Sequence, residues 1–411
     1  MHMLLKRALL YGGSSLPSLL FYYLTEKRHG TPIGILVMIT AVQVLLPLSY
    51  DGAGYLADNA VMAVLGVTLG AGMAFYIRDV QQCGADDTKK RALPPFYNVL
   101  ARWNENGGRN NDDPDDTKPP SLSVMQTDSR WWLIQSVGYM LFSIPVMAFF
   151  DGLLRVCQLP PDTETMAYWY RLPPPWQTLA YHLMAGFTLH LHVWIVEMLY
   201  RLFLTVRLAI VFCFFSPHVG YYQATRQFIS QPAIFDQPWL AHSAYNLWSA
   251  RWHQIFRPGF IKLAYQPVRS LFPSKERGRV AATMAVFLAS GLLHDYILVT
   301  MMGYSAIQTF AGMLGQQTMF FILQGVATVI SAPGTPWSRL WSWMPTWLAR
   351  SLTFVWIVYT APIFVDPFLR IGLHKEAEGN DSSWGYRYTQ DPLILILASY
   401  VRMDPSLFRR C

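Results

Sequence analysis

A bundle of membrane-spanning α-helices is the fold class this sequence predicts, and three observations predict it. Hydrophobic residues make up 53% of the 411-residue chain and charged residues only 14%. The apolar residues are gathered into blocks long enough to cross a hydrocarbon layer, instead of recurring at amphipathic spacing. One such block, Ala281–Met302, carries His294 and Asp295 side by side near its middle. An ionisable side chain is expensive at that depth, so its presence points to function.

Taken in order, the blocks predict spans at Leu9–Leu24, Pro32–Leu48, Leu56–Ile77, Trp132–Phe150, Thr178–Tyr200, Phe203–Phe215, Ala281–Met302, Ile307–Ile330 and Trp347–Phe364. A short apolar segment follows at Leu393–Val401. About eight or nine crossings result, in one membrane-embedded domain over residues 1–411 with no soluble domain standing apart. Lys6 and Arg7 precede the first block as they would in a secretory signal, but Thr25-Glu26-Lys27-Arg28 follows where cleavage needs small residues. A retained helix that also targets the chain is therefore expected. The cysteines, Cys83, Cys157, Cys213 and Cys411, form no CxxC pair, which argues against a zinc site or a disulfide framework. Cys411 is the last residue and is not placed as a prenylated CaaX box requires.

Two polar segments separate the blocks. Residues 78–130 contain Asp86-Asp87-Thr88-Lys89-Lys90-Arg91 and Asp112-Asp113-Pro114-Asp115-Asp116, and their low hydrophobicity with mixed charge predicts a flexible loop. Residues 216–280 hold Arg226, Arg251, Arg257, Lys262, Arg269, Lys275, Arg277 and Arg279 against only Asp236 and Glu276. The formal net charge of +7 thus has a location. The asymmetry favours the cytosolic side. It suits either contact with anionic lipid or the binding of a phosphorylated substrate.

Inside the basic segment, Ser243 is a plausible N-cap, while Pro258 and Gly259 are stop signals. A helix of about four turns is expected between them. On it Trp248 and Trp252 share one face, and Asn246, His253 and Arg257 line a second, polar stripe. An interfacial helix lying on a bilayer would show the same aromatic and Arg content.

Further histidines, His182, His190 and His192, lie with Glu197 along the Thr178–Tyr200 block, and His218 follows Pro217. His190 and His192 point to different helix faces and no HExxH-type spacing appears, so packing or interhelical hydrogen bonds explain them better than a metal. Nucleotide-binding fingerprints such as GxxxxGK[ST] are absent. No nucleic-acid partner, bound cofactor or metal is expected.

His294 in an apolar wall is a neutral ring able to accept a proton, as a general base must be. Ser290 lies one turn before it on the same helix face, whereas Asp295 points about a quarter-turn away. Asp295 is therefore free to hold a neighbouring helix or the polar stripe instead of forming a dyad with His294.

Asn246-Leu247-Trp248-Ser249-Ala250-Arg251-Trp252-His253, followed about forty residues on by Ser290-Gly291-Leu292-Leu293-His294-Asp295, resembles the wax synthase-like branch of the membrane-bound O-acyltransferases. In that branch a [D/N]FWxxRWH-like segment precedes an SGLxHD/E helix that bears the catalytic histidine. Asn246 stands where the family often has an acidic residue, Leu247 replaces Phe and Ser249 replaces Gly.

The resemblance implies acyl transfer from an acyl-CoA thioester to a hydroxyl, with His294 and Asp295 as catalytic residues. It implies that Asn246, Trp248, Trp252, His253 and Ser290 shape the acyl-CoA site and that Arg251 and Arg257 meet its phosphates. Expected partners are the bilayer of the endoplasmic reticulum, acyl-CoA as co-substrate, and an apolar alcohol. Chains of this kind also resemble fungal enzymes that acetylate terpenoid or meroterpenoid hydroxyls with acetyl-CoA, which is the preferred expectation over long-chain alcohol or sterol esterification. A polytopic transporter would also place His and Asp in spans, but no internal repeat supports one. A membrane terpene cyclase would leave the Trp/Arg segment without a role.

Overall fold

The computed structural model describes residues 2–26, 31–49, 56–83, 121–156, 174–214, 222, 225–226, 229, 234–252, 256–303, 311–335 and 337–371. Among these residues the secondary structure is entirely helical. Eight long helices carry it: α1 (His2–Glu26), α2 (Ile33–Leu45), α3 (Leu56–Cys83), α4 (Leu122–Val156), α5 (Pro174–Phe214), α6 (Lys275–Met302), α7 (Gln316–Ser331) and α8 (Thr346–Arg370). Among the described residues three stretches are long and apolar enough, by length and composition, to cross a membrane: Asp58–Gln82, Lys275–Met302 and Thr346–Phe368. Leu141 and Phe142 of α4 stand 72% and 65% exposed, and Leu19, Val37 and Met38 also face outward. Apolar side chains directed outward over several helices suit a lipid environment.

The helices correct three sequence expectations. The blocks Thr178–Tyr200 and Phe203–Phe215 are one continuous 41-residue helix, α5. Arg201 divides the apolar run in the sequence, but in the helix it is neutralised one turn back by Glu197, with Nε and Nη2 donating to Oε1 at 3.0 and 2.7 Å. Of the block expected at Ile307–Ile330, residues 307–310 lie outside the described residues, Ala311–Met313 is a 3-10 turn, and α7 begins at Gln316. The polar segment 78–130 is shortened from both sides, because α3 continues to Cys83 and α4 begins at Leu122. Leu393–Val401 and most of the polar segment lie outside the described residues.

Two compact units divide the chain. The first comprises Met1–Gly108, Phe256–Thr335 and Pro367–Leu373. In it α2 packs on α1 and α3, and α6 packs on α3 and α7. Gln43 of α2 is buried and accepts from Ser18 at 2.8 Å while donating to the Ser14 carbonyl at 3.1 Å, so a polar side chain ties α1 to α2 inside apolar surroundings. Tyr296 of α6 donates to the Val44 carbonyl at the end of α2 at 2.5 Å.

The second unit comprises Arg109–Ile255, Pro336–Asp366 and His374–Cys411, and its main packing is α4 against α5. Tyr222 stacks on Trp132 with ring centroids 5.4 Å apart and donates to Asp128 Oδ2 at 2.5 Å. Burial and that carboxylate push the Tyr222 phenol up to about 12. His182 of α5 meets Asp366 of α8 at 2.5 Å, an ionisable pair between two helices.

Candidate functional site

In the first unit the candidate site is built on α6. Ser274 caps the helix, its side chain accepting from Arg277 N at 3.4 Å, and Glu276 in the first turn suits the positive end of the helix dipole. Twenty residues beyond Ser274, His294 Nδ1 lies 2.7 Å from the Ser290 carbonyl, the i to i−4 position that the sequence spacing predicts. A carbonyl only accepts, so Nδ1 must carry the proton in this geometry. The ring is then the tautomer whose Nε2 bears the lone pair, the form a general base needs. The ring also rests on Phe321 of α7, with centroids 4.6 Å apart at 33°. Ser290 is buried, and its observed contribution is this carbonyl.

Asp295 points elsewhere. Its Oδ1 accepts from Gly315 N at 3.2 Å, and its Oδ2 accepts from Thr318 N at 3.2 Å and Thr318 Oγ1 at 2.6 Å. These groups form the start of α7, whose cap position is Gly315 with φ 84° and no capping side chain. Asp295 thus supplies from α6 the cap that α7 lacks. The helices approach closely at Gly291, where an added Cβ would lie 2.5 Å from Thr318 Cα, and at Gly325, where it would lie 3.0 Å from Phe287 Cβ. The run Ser290-Gly291-Leu292-Leu293-His294-Asp295 therefore provides a tautomer-setting carbonyl, a close helix contact, the histidine and the cap of its neighbour.

Arg257 also belongs to the first unit, at the start of the short helix Arg257–Phe260, and is exposed. Beyond it Lys262 is buried, with its Nζ 5.7 Å from the centre of the Phe75 ring.

The second unit contains Asn246, Trp248, Arg251 and Trp252. Ser243 is an N-cap as expected, its Oγ accepting from Asn246 N at 3.0 Å. The four-turn helix is not formed. A turn at Ala244–Asn246 widens into a π-type segment, Leu247–Arg251, in which Trp252 N donates to the Leu247 carbonyl at 2.9 Å, and Trp252 itself is extended at φ −116°, ψ 130°. Tertiary bonds compete with helix continuation here. The Arg251 carbonyl accepts from Asp236 N at 2.9 Å, while its Nη1 donates to the carbonyls of Asp236 and Gln237 at 2.9 and 3.3 Å. Arg251 Nε donates to Asn246 Oδ1 at 2.8 Å. Gln237, left-handed at φ 44°, belongs to the same clasp. Asn246 and Arg251 are therefore partners of each other. The stripe expected through Asn246, His253 and Arg257 has lost its helical basis, and His253 lies outside the described residues.

Trp248 and Trp252 do meet, edge to face at 5.9 Å. Trp252 also packs on Phe235 at 4.6 Å, and both contact His190 of α5, at 5.8 and 4.1 Å. Glu197 is buried on α5 and accepts from Ile234 N at 3.0 Å besides binding Arg201. His190 and Glu197 thus anchor the strandless segment that leads to the Trp/Arg motif. Among the described residues no group of three His, Cys, Asp or Glu could hold a metal.

Sequence reasoning missed Thr318, Phe321, Phe235 and Asp236. Only Thr318 left a signal, since Gly315 opens an apolar run with no capping side chain of its own.

Residues 231–323 match the model of the membrane bound O-acyl transferase family, a stretch that holds both motifs. That stretch is similar to this family. It is similar to probable long-chain-alcohol O-fatty-acyltransferase 1 of Arabidopsis thaliana, 27% identical over 224 residues covering 50% of this chain and 60% of the relative. With probable long-chain-alcohol O-fatty-acyltransferase 8 of the same plant it is 33% identical over 133 residues, 31% of this chain and 36% of the relative. With acetyltransferase aurG of Calcarisporium arbuscula it is 26% identical over 153 residues, 35% of this chain and 36% of the relative. The chain thus spans between about a third and three fifths of the length of these relatives. The resemblance to the wax synthase-like branch holds, and the matched stretch contains His294 and Asp295.

Proposed function

We propose that this chain is a membrane-bound O-acyltransferase that moves an acyl group from acyl-CoA to a hydroxyl of an apolar acceptor. The observation that carries the reading is the bond from His294 Nδ1 to the Ser290 carbonyl, which leaves the lone pair on Nε2. Nε2 takes the acceptor's hydroxyl proton as its oxygen attacks the thioester carbonyl carbon. The tetrahedral intermediate collapses, the C–S bond breaks, and the imidazolium returns the proton to the departing thiolate. An ester and CoA result, with no acyl-enzyme and no bound cofactor.

Exposed Arg257 is the candidate for the CoA phosphates, since a guanidinium binds them in bidentate fashion. Asn246, Trp248, Arg251, Trp252 and His253 belong to a segment that shapes acyl-CoA entry, with Arg251 holding its backbone. The work is done in a bilayer, with the endoplasmic reticulum as the proposed location.

Similarity to acetyltransferase aurG supports acetyl-CoA as donor, and the departures at Asn246, Leu247 and Ser249 support a terpenoid or meroterpenoid acceptor of secondary metabolism. Similarity to the plant long-chain-alcohol relatives supports a second reading, with a fatty acyl-CoA and a long-chain alcohol. Membranes carrying the chain, incubated with radiolabelled acetyl-CoA or palmitoyl-CoA and terpenoid or fatty alcohols, separate the two by the ester that forms. His294→Ala, expressed and inserted to the same level, should form none; retained turnover would remove His294 from the reaction.

A further inference from the structure

Asp295 is adjacent to the candidate base in sequence, yet both of its oxygens are turned to another helix. Three hydrogen-bond donors reach them, the backbone N–H groups of Gly315 and Thr318 and the Thr318 hydroxyl. All three belong to the first turn of α7 or its cap. Phe321, three residues beyond Thr318 on α7, is the ring on which His294 rests.

The contacts between α6 and α7 need a device that sets their axial alignment. Gly291 against Thr318 and Gly325 against Phe287 bring the helices close, but a glycine surface offers little to oppose sliding. A shift of one residue along α7 would move Phe321 by about 1.5 Å and turn it by about 100°. That would take its ring off the imidazole. Asp295 opposes the shift because a slipped α7 would leave its first N–H groups without an acceptor and the carboxylate without its donors.

We propose that Asp295 acts on the reaction as a positioning residue. It locks the register of α7 through Thr318, and Phe321, so placed, holds the His294 ring in the orientation that presents Nε2 to the acceptor. Asp295 takes no proton and touches no reacting atom. Thr318 and Phe321 join the site through this path. The kinetic part of the inference rests on the acyl-transfer reading above.

Two measurements test it. The first is a cycle of Asp295→Ala, Phe321→Leu and the double variant in the esterification assay. Each single change should lower kcat, by up to about 100-fold, the cost of a misplaced catalytic group, with KM for acyl-CoA and acceptor little changed. The double variant should be no slower than the worse single one, because both changes undo one alignment. Thr318→Ser, which keeps the hydroxyl, should be slowed less than Thr318→Val. Losses that multiply in the double variant would overturn the shared path.

The second measurement needs no turnover. Diethyl pyrocarbonate acylates neutral imidazole, and mass spectrometry of the peptide bearing His294 reads its rate in the full-length protein in detergent. Asp295→Ala and Phe321→Leu should each raise that rate several-fold, while Asp295→Asn, which keeps an acceptor for Thr318, should raise it less. An unchanged rate in both Asp295→Ala and Phe321→Leu would overturn the inference. Absence of any ester from the unaltered protein would instead count against acyl transfer, with the modification rates still deciding whether Asp295 positions His294.

Discussion

Gly291 on α6 lies so close to Thr318 on α7 that a single methyl group would fall 2.5 Å from the Thr318 Cα. Backbone, not a flexible side chain, occupies that space. Gly291→Ala must therefore push the helices apart, at a cost of about 1–3 kcal/mol for overpacking. The expected result is a lower melting temperature in detergent together with reduced ester formation. A melting temperature equal to that of the unaltered protein would show that α7 can shift to accept the methyl group.

Arg251 and Arg257 should behave differently, although both lie in the basic segment. Arg251 donates to Asn246 and to the carbonyls of Asp236 and Gln237, so Arg251→Ala should destabilise the protein by about 1–3 kcal/mol, read as a fall in melting temperature. Arg257 is exposed, and Arg257→Ala should leave the melting temperature unchanged while raising KM for acyl-CoA and weakening its dependence on salt. The opposite assignment of effects would return the phosphate contact to Arg251.

Ser243 is buried and caps the turn that begins the Trp/Arg motif. Ser243→Ala should cost about 0.5–2 kcal/mol. Faster proteolytic cleavage near residues 244–252 would report the loosened turn, and Ser243→Asp should largely restore protection because it keeps a capping oxygen.

His182 and Asp366 join α5 to α8. Asp366 is about one-third exposed, so water remains available to a carboxylate that loses its partner. His182→Ala should therefore cost about 1–3 kcal/mol, largely for the lost hydrogen bond and packing, and Asp366→Asn less. Thermal unfolding in detergent followed by tryptophan fluorescence would measure both.

The helical class and the layout of the helix bearing His294 were legible in the sequence. The spacing of Ser290, His294 and Asp295 predicts that the first two meet and the third points away, because one turn of helix determines both. Contacts across long stretches were not legible. The end of the helix at Arg251 depends on Asp236, and the start of α7 depends on Asp295, twenty residues upstream of Gly315. Ser243 and Pro258 bracket a good helix by local rules, yet the bonds from Arg251 to the Asp236–Gln237 backbone outweigh them. Local signals carry no information about such partners.

The continuity of α5 fixes a length. Forty-one residues at about 1.5 Å each make a rod of about 60 Å, twice the thickness of a hydrocarbon layer at about 30 Å. Such a rod is immersed over its whole length only when it is tilted by about 60° or more from the layer normal. Glu197 lies near the middle of this rod, so the Ile234 backbone that it binds is attached at mid-length.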